Sequence, residues 1–153
     1  MNTKLLTPVL TLLAALPATA ATRTWDGGDA TANMTAAANW NGNTVINPAV
    51  DDLDFPLGLA LADRTVNNNY PVNTIFKAVD FYDGGYTLNG TLLALTGGLA
   101  TYHPTGTVTI NAGFTLQATQ YFAAINSGAL RGQLGLRGTL RPLLLASGHC
   151  EGP

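Results

Sequence analysis

Two tryptophans and a sparse set of aspartates carry the chemistry available to this 153-residue chain. Trp25 and Trp40 lie within the stretch TWDGGDATANMTAAANW, with Asp26 and Asn39 beside them. Aromatic faces next to hydroxyl-binding carboxylates and amides can stack on and hold a sugar. The same residues can instead close one end of a repetitive fold, since an exposed first strand needs a cover. A buried indole can still satisfy its N–H at the rim of a core. The second reading is favoured, and Gly27-Gly28 would then let the backbone turn sharply beside the first ring.

Asp51, Asp52 and Asp54 form the densest carboxylate group. Oxygen ligands at such spacing can hold Ca²⁺, which takes six to eight of them. The group lacks an Asp-x-Asp-x-Asp-Gly loop with a distal Glu, so a turn at Asp51 and a solvent-facing Asp54 are the plainer expectation. A glycosidase needs two carboxyls across a scissile bond. Asp63, Asp80 and Asp83 are available, yet the single Glu lies at position 151. Asp80 and Asp83 flank a Gly-Gly corner, where Asp is common for backbone reasons. His103 has no nearby His or Cys, and His149-Cys150 supplies too few ligands for zinc. No Ser-centred nucleophile motif and no phosphate loop is present. The expectation is therefore no enzyme, no cofactor and no metal. Asn33-Met34-Thr35 and Asn89-Gly90-Thr91 match a glycosylation acceptor pattern and are read as chance.

The chain begins with Lys4, an apolar run from Leu5 to Leu16, and Ala18-Thr19-Ala20. That order is a secretory leader with cleavage before Ala21, and the run is too short to span a bilayer. It implies a secreted or outer-surface bacterial protein with no membrane span once the leader is removed. Only 7 of the residues are Lys or Arg, and the net charge is −2, which excludes a nucleic-acid surface. Cys150 is the only cysteine, so core packing or backbone pairing must hold the fold.

Past residue 20 strand signals dominate: Asp52 to Phe55, Thr74 to Tyr82, Tyr86 to Gly98, Gly106 to Ala118 and Gln120 to Leu130. In Thr74 to Tyr82, strict alternation puts Ile75, Lys77, Val79 and Phe81 on one face. Gly, Asn and Asp punctuate the strands at Asp83-Gly84-Gly85, Asn89-Gly90, Gly97-Gly98, Asn111-Ala112-Gly113 and Asn126-Ser127-Gly128. An antiparallel β-sandwich and a short parallel β-solenoid with an aromatic N-terminal cap both fit this rhythm. The solenoid fits better, because both faces of several strands are nearly uncharged and the segments resemble one another. Leu88, Leu92, Leu93, Leu95, Val108, Ile110, Phe114 and Leu116 are the expected core ladder. Tyr82, Tyr86, Tyr102 and Tyr121 are expected at its edges.

The ordered set TWDGG, AANW, NPAVDDLDF, NNNYP, FKAVDF, YTLNG and LALTGG resembles the start of large bacterial secreted proteins with autotransporter-associated β-strand repeats. These include autotransporter passengers and sorted exoproteins. The resemblance implies a capped β-helical stalk displayed on or released from the cell surface, and no shared catalytic residues. Residues 1–20 then form the leader, 21–50 the cap, and 51–130 the solenoid. Residues 131–153 form an atypical tail richer in Arg, suggesting truncation or a shifted reading frame. The expected role is display, adhesion or matrix association, with cell-surface glycans or matrix as partners and self-association through an open strand edge. A glycan-binding sandwich module and a fragment of a polysaccharide-active enzyme are the alternatives.

Overall fold

The computed structural model describes residues 19–117, 122–125, 129–134 and 149–151. Most of the leader, Tyr121, the corner at 126–128 and most of the tail lie outside them. The described chain is all-β, a parallel sheet of stacked coils forming a short solenoid. Its strands are β1 (Thr22–Thr24), β2 (Asp52–Phe55), β3 (Thr65–Asn68), β4 (Ile75–Phe81), β5 (Thr87–Gly90), β6 (Leu93–Thr101), β7 (Thr107–Leu116), β8 (Phe122–Ala124), β9 (Ala129–Leu134) and β10 (His149–Glu151). All strand pairs are parallel, which removes the sandwich. The one antiparallel contact among the described residues is the isolated bridge between Trp25 and Trp40.

The pairings resolve into three ladders around a common interior. The first stacks β1, β2, β4, the end of β6, and β8. The second stacks β3, β5, the start of β7, β9 and β10. The third stacks the start of β4, the start of β6, and the end of β7. The long strands β4, β6 and β7 therefore each run around a corner. In β4 and β7 that corner is a break in register, between Phe76 and Ala78 and between Ile110 and Phe114.

The break at Lys77 corrects the alternation expected for Thr74 to Tyr82. Phe76, Val79 and Phe81 are all buried, while Lys77 points out to Asp52. A bulge shifts the inward phase by one residue, so the strand bends without exposing an aromatic ring.

In-register stacking explains the sequence rhythm. Val66 pairs with Leu88 and Leu88 with Ile110, a step of 22 residues each time. Leu53, Val79 and Leu99 form a second buried column, and Phe76, Leu95 and Leu116 a third. Each such side chain contributes roughly 1.5–3 kcal/mol on leaving water. Phe55 stacks on Phe81 from the next coil at 4.7 Å and 15°. Leu92, by contrast, is only partly buried, and Tyr86 sits fully inside rather than at an edge.

Asparagines line the corner after the second ladder. Asn67 Nδ2 donates to Asn33 Oδ1 at 2.7 Å, and Asn111 Nδ2 donates to Asn89 Oδ1 at 2.9 Å. Asn67 and Asn89 are themselves in register. Stacked amides repeat the backbone bonding with their side chains and fix the register. The two Asn of the acceptor-like patterns thus belong to this ladder. Gly90 turns the same corner at φ 99°, where an L side chain is strained.

The early coils are longer. Thr24 pairs with Asp54 and Phe55 with Phe81, steps of 30 and 26 residues, against 20 from Phe81 to Thr101. The extra length of the first coil builds the cap. The ladder also continues past residue 130: β9 runs to Leu134, and β10 pairs beside it.

Candidate functional site

The cap comes first, because it holds the strongest sequence candidates. Trp25 and Trp40 are 1% and 0% exposed, with ring centroids 5.2 Å apart in a T-shaped contact. Both rings lie 6.0 Å from Phe55, so the pair seats directly on the first aromatic rung. Trp25 Nε1 donates to the Asp63 carbonyl at 2.8 Å, and Trp40 Nε1 to the Met34 carbonyl at 2.9 Å. Neither ring offers a face to a sugar.

Asn39 and Asp26 work beside them. Buried Asn39 donates to the Thr31 and Asn33 carbonyls and accepts from the Asp29 N–H at 2.8 Å. Asp26 Oδ1 accepts from the Gly28 N–H at 3.1 Å. These contacts tie the irregular segment 26–39 into the cap. A cleft of about 180 Å³ remains next to it, lined by Asp29, Thr31, Asn39 and Asp63 among others. That is small beside the 300–1,000 Å³ typical of ligand pockets.

The three clustered aspartates do not converge. Asp51 is 1% exposed and faces inward. It accepts from Arg23 Nε (2.7 Å), the Asn47 N–H (2.8 Å) and the Ala21 N–H (3.2 Å). Burial pushes this carboxyl up, but Arg23 and the two N–H groups outweigh burial and hold it below its ordinary value. Asp52 points outward to Lys77 Nζ at 2.7 Å. Asp54, also outward, stands in register with Asp80. No group of three or more metal-binding side chains exists among the described residues.

The outer surface of the first ladder gathers carboxyls and exposed aromatic rings. Asp54 on β2 and Asp80 on β4 are neighbours across a parallel pair, where strands lie about 4.8 Å apart. Burial, then the Asp54 and Asp52 charges, push Asp80 up to about 6. Asp54 is raised as well, by burial and Asp52. Both groups therefore keep their protons to higher pH than an ordinary aspartate. Just past Asp80, Tyr82 stacks on Tyr102 at 5.2 Å and 15°. Tyr82 is 37% exposed, and burial, Asp54 and Asp80 all raise its phenol. This face joins a flat aromatic pair to two register-paired carboxyls whose values are raised. The strand signals of Asp52 to Phe55 and Thr74 to Tyr82 named its residues; only the register brings them together.

Asp83 and Asp63 are not part of it. Asp83 pairs with Arg64 at 2.7 Å, and its carboxyl is held below the ordinary range. The Gly58 N–H is the largest cause, with Arg64 and the Gly84 N–H adding to it against burial. Arg64 also donates to the carbonyls of Leu59 and Gly84, and lies over the Tyr86 ring at 5.7 Å. Tyr86 donates to the Pro56 carbonyl at 2.6 Å, and burial raises its phenol to about 12. Loop 56–64 is thereby clamped onto the Asp83-Gly84-Gly85 corner. A Cβ at Gly84 would sit 2.6 Å from the Thr105 carbonyl, so that corner requires glycine. Sequence reading missed Arg64, since a lone Arg in a loop carries no spacing signal.

His103 is fully buried, with Nδ1 2.9 Å from the Thr105 carbonyl, while its Nε2, Thr101 Oγ1 and Tyr70 OH have no hydrogen-bond partner among the described residues. His149-Cys150 lies in β10, whose backbone pairs with β9. A recess of about 600 Å³ on the third ladder is lined among the described residues by Asn73, Ile75, Leu92, Thr115 and Gln117, none of them titratable. No helix among the described residues is long and apolar enough to cross a membrane. Comparison with family models, with curated proteins and with solved structures gave no match for this chain.

Proposed function

We propose that this chain is the capped beginning of an exported bacterial β-solenoid whose work is display, adhesion or matrix association rather than catalysis. The observation that carries the reading is the cap itself. A buried tryptophan pair closes the first coil, and behind it the ladders stack coil upon coil in register. Such a body resists unfolding through continuous backbone pairing and projects its corner loops outward. The leader-like start and the ordered motifs resembling autotransporter-associated repeats support export and a stalk role. Cell fractionation with protease shaving tests this. The expected result is a surface or extracellular protein lacking residues 1–20; retention in the cytoplasm contradicts it.

A glycan-binding role is the second reading, moved from Trp25 and Trp40 to the outer face of the first ladder. The exposed Tyr82–Tyr102 stack beside Asp54 and Asp80 favours it. Aromatic planes take sugar faces, and carboxyls take sugar hydroxyls. A glycan array with the wild type and Tyr82→Ala decides. Binding lost in the variant supports this face, and binding unchanged removes it. If the same carboxyl pair served a polysaccharide-cleaving enzyme, turnover would vanish in Asp80→Asn.

A further inference from the structure

We propose that cleavage between Ala20 and Ala21 completes the cap, because the α-ammonium freed on Ala21 is received by the buried carboxylate of Asp51. This rests on the export reading above, and it assigns Asp51 a purpose that packing alone does not supply.

Thr19 and Ala20 are exposed, and Ala21 is the first half-buried residue of the described chain. Ala21 is already held at both ends: its carbonyl accepts from the Asp52 N–H at 2.9 Å, and its N–H points to Asp51 Oδ1 at 3.2 Å. The two Asp51 oxygens divide their partners. Oδ2 takes Arg23 Nε and the Asn47 N–H, whereas Oδ1 faces Ala21 N. A peptide N–H brings one proton and no charge to that oxygen. An ammonium at the same place brings three protons and a full positive charge, and charge-assisted bonds are about twice as strong as neutral ones. The exposed bond at 20–21 is open to a peptidase, while the chain just after it is engaged.

The reaction is a hydrolysis, with an endopeptidase of the export machinery as catalyst and water as co-reactant. The Ala20–Ala21 C–N bond breaks and a C–O bond forms on Ala20, which leaves as a carboxylate. The Ala21 amine takes up a proton at neutral pH. Several charged or titratable groups surround the new ammonium. Arg23 lies two residues along, in β1, and stays on Oδ2. Asp52 is paired with Lys77, and the Tyr70 phenol is raised by burial and by the Asp51 charge. The ammonium therefore meets a carboxyl oxygen that no other cation among the described residues holds.

The sign of the pH effect follows. An unfolded α-amino group titrates at about 7.7–8.0, and pairing with Asp51 raises it in the folded state. The added stability is present below that range and is lost as pH rises through the folded value.

Two experiments test the proposal. Amino-terminal sequencing of the exported protein should begin at Ala21. Separately, the chain starting at Ala21, released from a removable fusion, is compared with the full chain and with the same chain carrying one extra Gly ahead of Ala21. At pH 7 the Ala21 chain should melt about 2–4 °C above the Gly-extended chain. The gap should close by about pH 10, where the amine is neutral, and be missing in the Asp51→Asn background. The Gly extension leaves every side chain in place, so the comparison survives even if Asp51→Asn fails to fold. Equal melting of the free and extended chains at pH 7 overturns the capture. Export with cleavage at another bond overturns the proposal and leaves the display reading intact. An uncleaved chain kept in the cytoplasm overturns both.

Discussion

Replacing Asp80 by Asn should make the protein more stable at neutral pH, against the usual direction of a polar substitution at a half-buried site. Asp80 ionises near 6 in the fold, against 3.8 for an ordinary aspartate, because burial and the Asp54 and Asp52 charges oppose its charged form. That gap, at about 1.36 kcal/mol for each tenfold change in proton affinity, would amount to nearly 3 kcal/mol if the group were fully sheltered. Water reaches part of this outer face and screens it, which leaves about 1–1.5 kcal/mol. The folded value is raised, so the favourable contribution exists below about pH 4 and disappears as pH climbs through about 6. Asn keeps the shape and removes the titration. Urea unfolding at pH 3, 5, 6.5 and 8 is the assay, with the m-value checked for constancy. Wild type and Asp80→Asn should coincide at about pH 3, and the variant should lead by about 1 kcal/mol at pH 8. Asp54→Asn should lower the wild-type transition near pH 6. A variant with no advantage at pH 8, or one that keeps the slope between about pH 4 and 7, refutes the carboxyl pair.

Trp40→Ala removes half of the T-shaped pair and should cost about 3–5 kcal/mol, read by thermal melting; a loss below about 1 kcal/mol would contradict a packed cap. Arg64→Lys cannot reproduce the fork that joins Asp83, Leu59 and Gly84, so urea titration should show a loss of about 1–3 kcal/mol. Asp51 and Asp83 carry lowered values, so their contributions are present at neutral pH and fall away as pH drops below the ordinary range of about 3.9. Acid titration of Asp83→Asn should therefore show a shallower loss than wild type, and an unchanged acid limb would remove the Arg64 clamp from the account.

Much of the fold is legible in the chain because a solenoid repeats itself. Val66, Leu88 and Ile110 occupy one column, and strand spacing with turn residues between is enough to find such stripes. Register is harder. The phase shift at Lys77 leaves no mark in composition, since Ile75, Phe76 and Val79 all suit a strand and only the bend decides which of them points inward. Tyr86 reads as an edge residue because its hydroxyl is polar, but the Pro56 carbonyl satisfies that group inside the core. Asp51 and Asp54 look alike in a cluster of acids, yet one faces Arg23 within the cap and the other faces out beside Asp80. Single-residue differences in facing are set by pairing partners 26 or 30 positions away, as with Asp54 to Asp80 and Thr24 to Asp54. The outer Tyr82–Tyr102 stack is hidden for the same reason, because its two rings come from different coils.

The central claim is the in-register parallel stacking of the coils behind the cap, and cysteine-pair trapping tests it most directly. Thr87 and Thr109 are register partners in the second ladder. Adjacent parallel strands bring their Cα atoms to about 4.8 Å, within the roughly 4.4–6.8 Å reach of a disulfide. In a Cys150→Ser background, Thr87→Cys with Thr109→Cys should cross-link nearly completely under mild oxidation. Thr87→Cys with Thr115→Cys should not, because Thr115 stacks on Ala94 in the third ladder. Cross-linking of the second pair with none in the first would contradict the solenoid.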